Sequence, residues 1–490
     1  MYYRLKEPWA FRGWKKTPYA IQAMAGENKH KRPHFFEKQQ FLELLNCNGQ
    51  EDVNTEDFSP ETQQIIRECL AHDIMEQSDQ PMPSMQPWQR YHVYPARFIE
   101  SVHWSITGKC NFRCRHCLVS APNAHHPQLP LEDCKKIIRE IASCGITRVD
   151  VTGGEPLVRT DFEEIVKELS YFGIDIGVLF TNASLLTEDV LKMLQKYHQY
   201  PSFQLSFDGL GNHDWLRGVE GAEVQADTAF RLLQKYGIPV SVAMCIHRGN
   251  RDSLRATANY LAGLGVRSLR VNAPQELGLW KQYAEEYALT EDEVWDAYRQ
   301  YIRDYFADGM PLDLELEGYF ACKKGETDYK IYYIHHAKEK EWSKYHMCES
   351  VRFNMYIGPE GRLAPCMGFS DTVLGPKFPS VLEEPLGKLT LEGYYHDVVE
   401  TRISDFLAKN PECAQCEYLQ CCCGGCMVQD ITDDGDFLVP DKRICYFFKH
   451  IGEQAVREAA DAAILAAGLQ PGIKKAENAG RDETEDLCKP

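Results

Sequence analysis

The chain has 490 residues, 44% of them hydrophobic, and a formal net charge of −18 from 54 basic and 72 acidic residues. That acidity argues against nucleic acid, which needs a basic footprint, and no apolar run reaches the length of a membrane span or looks like a signal-peptide core. Nineteen cysteines in so long a chain point to metal or reactive thiols rather than disulfides, and the expected setting is a reducing, anaerobic cytoplasm.

Residues 1–77 form a first unit. Trp14 to Met24 and Arg32 to Phe36 read as two strands around the polar turn Gly26-Glu27-Asn28, and 37–46 and 61–72 read as helices. This layout resembles the small winged recognition domains of peptide-modifying enzymes. Residues 78–95 hold four prolines and no periodicity, so they read as a linker.

From 96 to 320 the pattern alternates strand and helix. Strands are expected over 101–107, 147–152, 174–180, 203–207, 239–246 and 267–272, short and apolar enough to be buried on both faces. Helices are expected over 131–144, 161–172, 187–197, 223–236 and 251–264; the first puts Leu131, Cys134, Ile137, Ile138 and Ile141 on one face. Six βα units imply an α/β fold with a parallel sheet and an outer helical layer.

After the first strand comes Cys110-Asn-Phe-Arg-Cys114-Arg-His-Cys117. Soft thiolates are the natural donors to iron–sulfur iron, and three of them can hold three corners of a [4Fe–4S] cube while leaving one iron open. Zinc normally wants four ligands in a different spacing, and His116 is badly placed to be the fourth. The second strand ends in Thr152-Gly153-Gly154-Glu155-Pro156, where glycines let the backbone approach a ligand and Glu155 can hydrogen-bond an ammonium.

Together these motifs resemble the radical S-adenosylmethionine (SAM) enzymes, over roughly Ser101 to Asn272. The resemblance implies a partial (β/α)6 barrel with its site at the C-terminal strand ends. It also implies a SAM-binding cluster on Cys110, Cys114 and Cys117. Gly153, Gly154, Glu155 and Pro156 are the expected SAM contacts, joined by Asn182, Ser206 and Asp208 at later strand ends. His247-Arg248-Gly249-Asn250 ends the fifth strand.

Residues 321–467 carry Cys348, Gly361 and Cys366, then Cys413, Cys416, Cys422, Cys426 and Cys445. This order resembles the SPASM extension of radical SAM enzymes. Carried over, Cys413, Cys416, Cys422 and Cys445 would hold one auxiliary [4Fe–4S] cluster and Cys348, Cys366 and Cys426 the other, three clusters in all. The second auxiliary set is one thiolate short, with Cys322 a candidate fourth ligand. Cys421 and Cys423 flank Cys422 and could substitute for it. Cys134, Cys144 and Cys245 read as small core residues. Residues 468–490 read as a solvated tail.

The resemblance implies an enzyme that takes a hydrogen atom from a ribosomally made precursor peptide with a leader and forms a cross-link, most readily a Cys thioether of the sactipeptide or ranthipeptide type. Flavodoxin or ferredoxin is the expected electron donor. The alternatives are a sulfatase-maturase-like oxidase that makes formylglycine, a small-molecule dehydrogenase, and an iron–sulfur or zinc module that senses redox state.

Overall fold

The computed structural model describes residues 1–26, 29–118, 126–274, 278–331 and 341–472. Cys488, most of the tail and the turn residues Glu27 and Asn28 lie outside the described residues. No helix among those described is long and apolar enough to cross a membrane.

The N-terminal unit holds β1 (Tyr2–Leu5), β2 (Trp9–Trp14), β3 (Ala20–Ala23), β4 (His34–Phe35), α1 (Lys38–Leu44), α2 (Pro60–Ala71), β5 (Met75–Ser78) and β6 (His92–Tyr94). β1 pairs with β5, and the other four strands form one sheet in the order β4-β3-β2-β6. The strand expected over 14–24 is a hairpin instead. Trp14 and Thr17 exchange backbone hydrogen bonds of 3.0 and 3.1 Å, and Pro18 has no N–H to continue a ladder.

Residues 78–95, expected as a linker, fold onto this unit. β6 pairs parallel with β2. The buried Gln89 amide donates to the carbonyls of Leu5 and Trp9 at 3.2 and 3.0 Å. Prolines hide these contacts from a periodicity reading, because they join side chains to distant backbone. The unit docks on the rest of the chain through Trp14, whose indole N–H donates to Cys144 O at 3.1 Å, and through Lys29 and His30, each 2.9 Å from Asp175.

Next come β7 (Ser101–Ser105), α3 (Leu131–Ser143), β8 (Arg148–Thr152), α4 (Phe162–Tyr171), β9 (Asp175–Thr181), α5 (Glu188–Lys196) and β10 (Ser202–Ser206). They are followed by α6 (His213–Arg217), α7 (Ala222–Lys235), β11 (Val240–Cys245), α8 (Leu254–Gly263) and β12 (Ser268–Asn272). Each expected strand and helix of this run has its counterpart, within a few residues at the ends. β7 to β12 pair in parallel in chain order. The sheet is open, as in a partial barrel. It continues through β13 (Asp313–Leu316), β14 (Phe320–Cys322) and β15 (Tyr329–Lys330) on one side, and β16 (Asn354–Ile357) and β17 (Leu363–Ala364) on the other. β16 lies parallel to β7, so a strand from beyond 320 completes the edge next to the cysteine triplet.

Burial alternates along these strands, which corrects the expectation of two buried faces. Val102, Trp104, Val149, Val151, Leu179, Leu205, Val242 and Leu269 are buried with Ile137, Ile138 and Ile141 of α3 and Ile165 and Val166 of α4 in one apolar cluster. Each such side chain contributes about 1.5–3 kcal/mol. The opposite row carries His103, Asp150, Gln204, Ser241 and Arg270, none fully buried. Because the sheet does not close on itself, its inner face stays polar.

Candidate functional site

All the sequence-predicted SAM-site residues lie at or just beyond the C-terminal ends of β7 to β10. The cysteine loop leaves β7 and is laced to the Gly-Gly-Glu-Pro turn after β8. Gly154 N donates to Thr107 O at 2.8 Å and Glu155 N to Lys109 O at 2.9 Å. The approach requires glycine: a Cβ on Gly154 would stand 2.3 Å from Lys109 O and 2.9 Å from the Cys110 Cβ, and one on Gly153 would stand 2.6 Å from Thr107 O. Pro156 starts a short 3-10 turn, where its missing N–H costs nothing.

Glu155 is fully buried. Its carboxylate accepts from Asn182 N at 2.7 Å, Thr181 Oγ1 at 2.8 Å and Leu157 N at 3.1 Å. Burial raises its carboxyl to about 7, against these hydrogen bonds. Glu155 therefore ties the end of β9 to the turn, and what it offers a ligand is a carboxylate already held in place. Asn182 faces the triplet, with its amide 3.9 Å from Cys110 Sγ and 2.9 Å from Asn111 Oδ1. Ser206 closes β10 on the polar face, level with Ala243.

Asp208 is buried and spoken for by protein groups. Its carboxylate takes Arg217 Nε at 2.6 Å, Arg217 Nη2 at 3.2 Å and Cys245 N at 3.0 Å. Burial opposes its charge, yet the guanidinium holds its carboxyl well below the usual range. Asn250, from the expected turn after β11, donates to Asp208 O and Cys245 O, both at 2.8 Å. Sequence reading missed Arg217, because nothing in the local pattern of α6 distinguishes it from a surface arginine. It also misjudged Cys245, whose sulfur lies within 4.8 Å of donor atoms of His116 and Asp208. Cys134 and Cys144 are core residues as expected, with 1% and 0% exposure.

The remaining predicted ligands are half-buried thiols, apart from the exposed Cys426. Burial is the main cause that raises the Cys366 thiol pKa to about 12, with Cys426 and Cys348 adding to it, and that of Cys426 to about 11, with Asp441 and Cys348 adding. Burial likewise raises Cys413 to about 11, with Glu412, Cys445 and Cys416 adding to it, and Cys422 to about 12, with Cys423, Cys445 and Cys416 adding. Cys423 also acts on Cys422, and Cys421 acts on Cys423 in turn. Cys322 donates into its own turn, at 3.1 Å from Glu326 O. Asp441 braces the second half: it accepts from Arg443 N and Ile444 N and, at 3.1 Å, from Cys426 N. Gly425 adopts φ +82°, with no room for a Cβ beside Asp441.

The triplet fits the same chemistry. Burial pushes Cys110 up to about 12, with Cys114, Glu155 and Cys117 adding to it. Thiols packed together this way stay protonated until a cation displaces the protons, which is how soft metal sites behave. The donor sets therefore suit iron–sulfur clusters.

Residues 104–261 match the radical SAM superfamily. The subtilosin biosynthesis protein AlbA of Bacillus subtilis is 26% identical over 212 residues, 43% of this chain and 47% of AlbA, so the match spans about half of that relative. The AdoMet-dependent heme synthase of Methanosarcina barkeri is 24% identical over 362 residues, 70% of this chain and 96% of that protein. Among solved structures, Streptococcus suis SuiB bound to its precursor peptide SuiA superposes with TM-score 0.62 at 16% identity, over 90% of this chain and 99% of SuiB. That likeness is one of fold. The chain carries a radical SAM domain, and its relatives are radical SAM enzymes.

Proposed function

We propose that this chain, carrying a radical SAM domain, is an enzyme that modifies a ribosomally made precursor peptide and closes a Cys thioether in it. The reading is carried by the lacing of the Cys110–Cys117 loop to Gly154 and Glu155, with two further cysteine groups in the same chain. When bound, SAM and a reduced [4Fe–4S] cluster supply a 5′-deoxyadenosyl radical, which takes a hydrogen atom from the substrate. Cys110, Cys114 and Cys117 would hold the cluster. Glu155, Gly153, Gly154 and Asn182 would orient SAM, the glycines by leaving its approach clear. Pro156, Ser206 and Asp208 frame the same pocket. Asp208 acts from within it, since its carboxylate is taken up by Arg217.

Cys413, Cys416, Cys422 and Cys445 would hold one auxiliary cluster, and Cys348, Cys366 and Cys426 a second that would take the substrate thiolate, the thiol proton leaving to solvent, and accept the one electron released as the C–S bond closes. The N-terminal sheet and its two helices would bind the leader, in the manner of strand addition at a sheet edge. AlbA, a bacteriocin biosynthesis protein, and SuiB, captured with a precursor peptide, favour a peptide substrate. The near-full-length match to a heme synthase favours a second reading, a small-molecule substrate.

The test is anaerobic incubation with SAM, a reductant and short Cys-containing peptides encoded beside the gene, read by mass spectrometry. Loss of two hydrogen atoms from one peptide, abolished when its Cys is replaced, supports the thioether. SAM turnover with no change in any peptide, but with a changed tetrapyrrole, moves the assignment to the second reading.

A further inference from the structure

We infer that Arg217 sets the reduction potential of the cluster held by Cys110, Cys114 and Cys117, as a positioning residue that Asp208 fixes and that donates to the Cys114 sulfur. This rests on the cluster assignment proposed above. Arg217 Nη1 lies 3.8 Å from Cys114 Sγ. Its Nε and Nη2 are both taken by Asp208, at 2.6 and 3.2 Å. The planar fork thus points one N–H edge at the carboxylate and leaves the other for the sulfur, a division that lysine cannot make. The pair is nearly dry: the Arg217 side chain is 10% exposed and that of Asp208 0%.

Asp208 itself is held from several sides. Cys245 N donates to its Oδ1 at 3.0 Å, and His213 Nδ1 accepts its N–H at 3.0 Å. The His213 ring is stacked on Phe207. The end of α6 is fastened to the triplet loop as well. Arg113 N donates to Arg217 O at 3.2 Å and Arg115 N to Leu216 O at 2.9 Å. The next residue, Gly218, has φ +66°, and a Cβ there would stand 2.3 Å from Arg113 O. The guanidinium cannot drift from the sulfur without undoing this seam.

The Asp208 charge cancels much of that of Arg217 at long range. Close by it does not, because the guanidinium lies between carboxylate and sulfur. What the sulfur meets is the positive end of a buried dipole and an N–H donor. Both stabilise the reduced, more negative state of a thiolate-ligated cluster and raise its potential.

The experiment is a potentiometric titration of the full-length, iron-loaded protein without SAM, followed by electron paramagnetic resonance. The triplet's transition is the one that disappears when Cys110, Cys114 and Cys117 are changed to Ala. In Asp208→Asn/Arg217→Gln, which leaves no unpaired buried charge, that transition alone moves to lower potential. Its reduced-to-oxidised ratio at the wild-type midpoint falls about tenfold, which is about 59 mV for a one-electron couple. Arg217→Lys, titrated in parallel, shifts the same way by less. An unmoved triplet transition in every variant that loads iron overturns the inference. So does loss of the triplet iron alone in both variants, which would make Arg217 a structural clamp. If the triple Cys→Ala protein loses no transition, the cluster assignment itself fails.

Discussion

Gly154→Ala is a small change with a large expected consequence. The new Cβ would stand 2.3 Å from Lys109 O, a backbone atom that cannot swing aside, and 2.9 Å from the Cys110 Cβ. An ordinary C···O contact is about 3.3–3.6 Å, so the two loops must part by about 1 Å. That weakens the Gly154 N to Thr107 O and Glu155 N to Lys109 O hydrogen bonds, 2.8 and 2.9 Å long. At about 0.5–1.5 kcal/mol each, the stability cost is about 1–3 kcal/mol. The effect on the cluster is more severe, because ligand distances must hold to within about 0.2 Å and Cys110 sits on the displaced loop. Iron per reconstituted chain should fall by about four atoms, measured together with the denaturation midpoint. Gly263→Ala is the control: it lies at the end of α8 with nothing within 4 Å of the new Cβ, and should leave both values unchanged or raise the midpoint slightly. A Gly154→Ala protein with full iron and the control's midpoint would refute the lacing argument.

Glu155 gives a pH prediction. Burial raises its carboxyl from 4.5 to about 7. The stabilisation that comes with its proton is complete below about pH 4.5 and is lost as pH rises through about 7. Urea midpoints of the SAM-free protein should show this slope, worth at most about 3.4 kcal/mol, and Glu155→Gln should flatten it. For the auxiliary groups, Cys422→Ala and Cys366→Ala should each lower iron content by up to about four atoms, while Cys421→Ala and Cys423→Ala leave it unchanged; elemental analysis decides. For leader recognition, the cut should follow residue 94, because β6 pairs with β2 and a cut at 77 would strand it. The truncated enzyme should still cleave SAM but should lose preference for leader-bearing over leaderless peptide, seen in competition assays. Equal preference before and after truncation would remove the N-terminal unit from recognition.

The core strands and helices were legible because their apolar residues repeat at the period of the element they build, as Ile137, Ile138 and Ile141 do in α3. The cysteine motifs stood out because spacing carries ligand chemistry directly. Three features were hidden for one reason: each depends on partners far away in sequence. β16 joins β7 across some 250 residues. Arg217 acquires its meaning only when α6 folds back on the triplet loop. Gln89 sits in a proline-rich stretch and finds its partners on β2 and β1. The polar inner face was misread because short apolar strands look alike in open and closed sheets.

Formation of 5′-deoxyadenosine tests the central claim most directly. Reconstituted protein, SAM and a strong reductant under anaerobic conditions should yield 5′-deoxyadenosine and methionine. The Cys110→Ala/Cys114→Ala/Cys117→Ala protein should yield neither, while keeping about eight of about twelve iron atoms. Zinc in place of iron after anaerobic purification, or undiminished 5′-deoxyadenosine from the triple variant, would contradict the account.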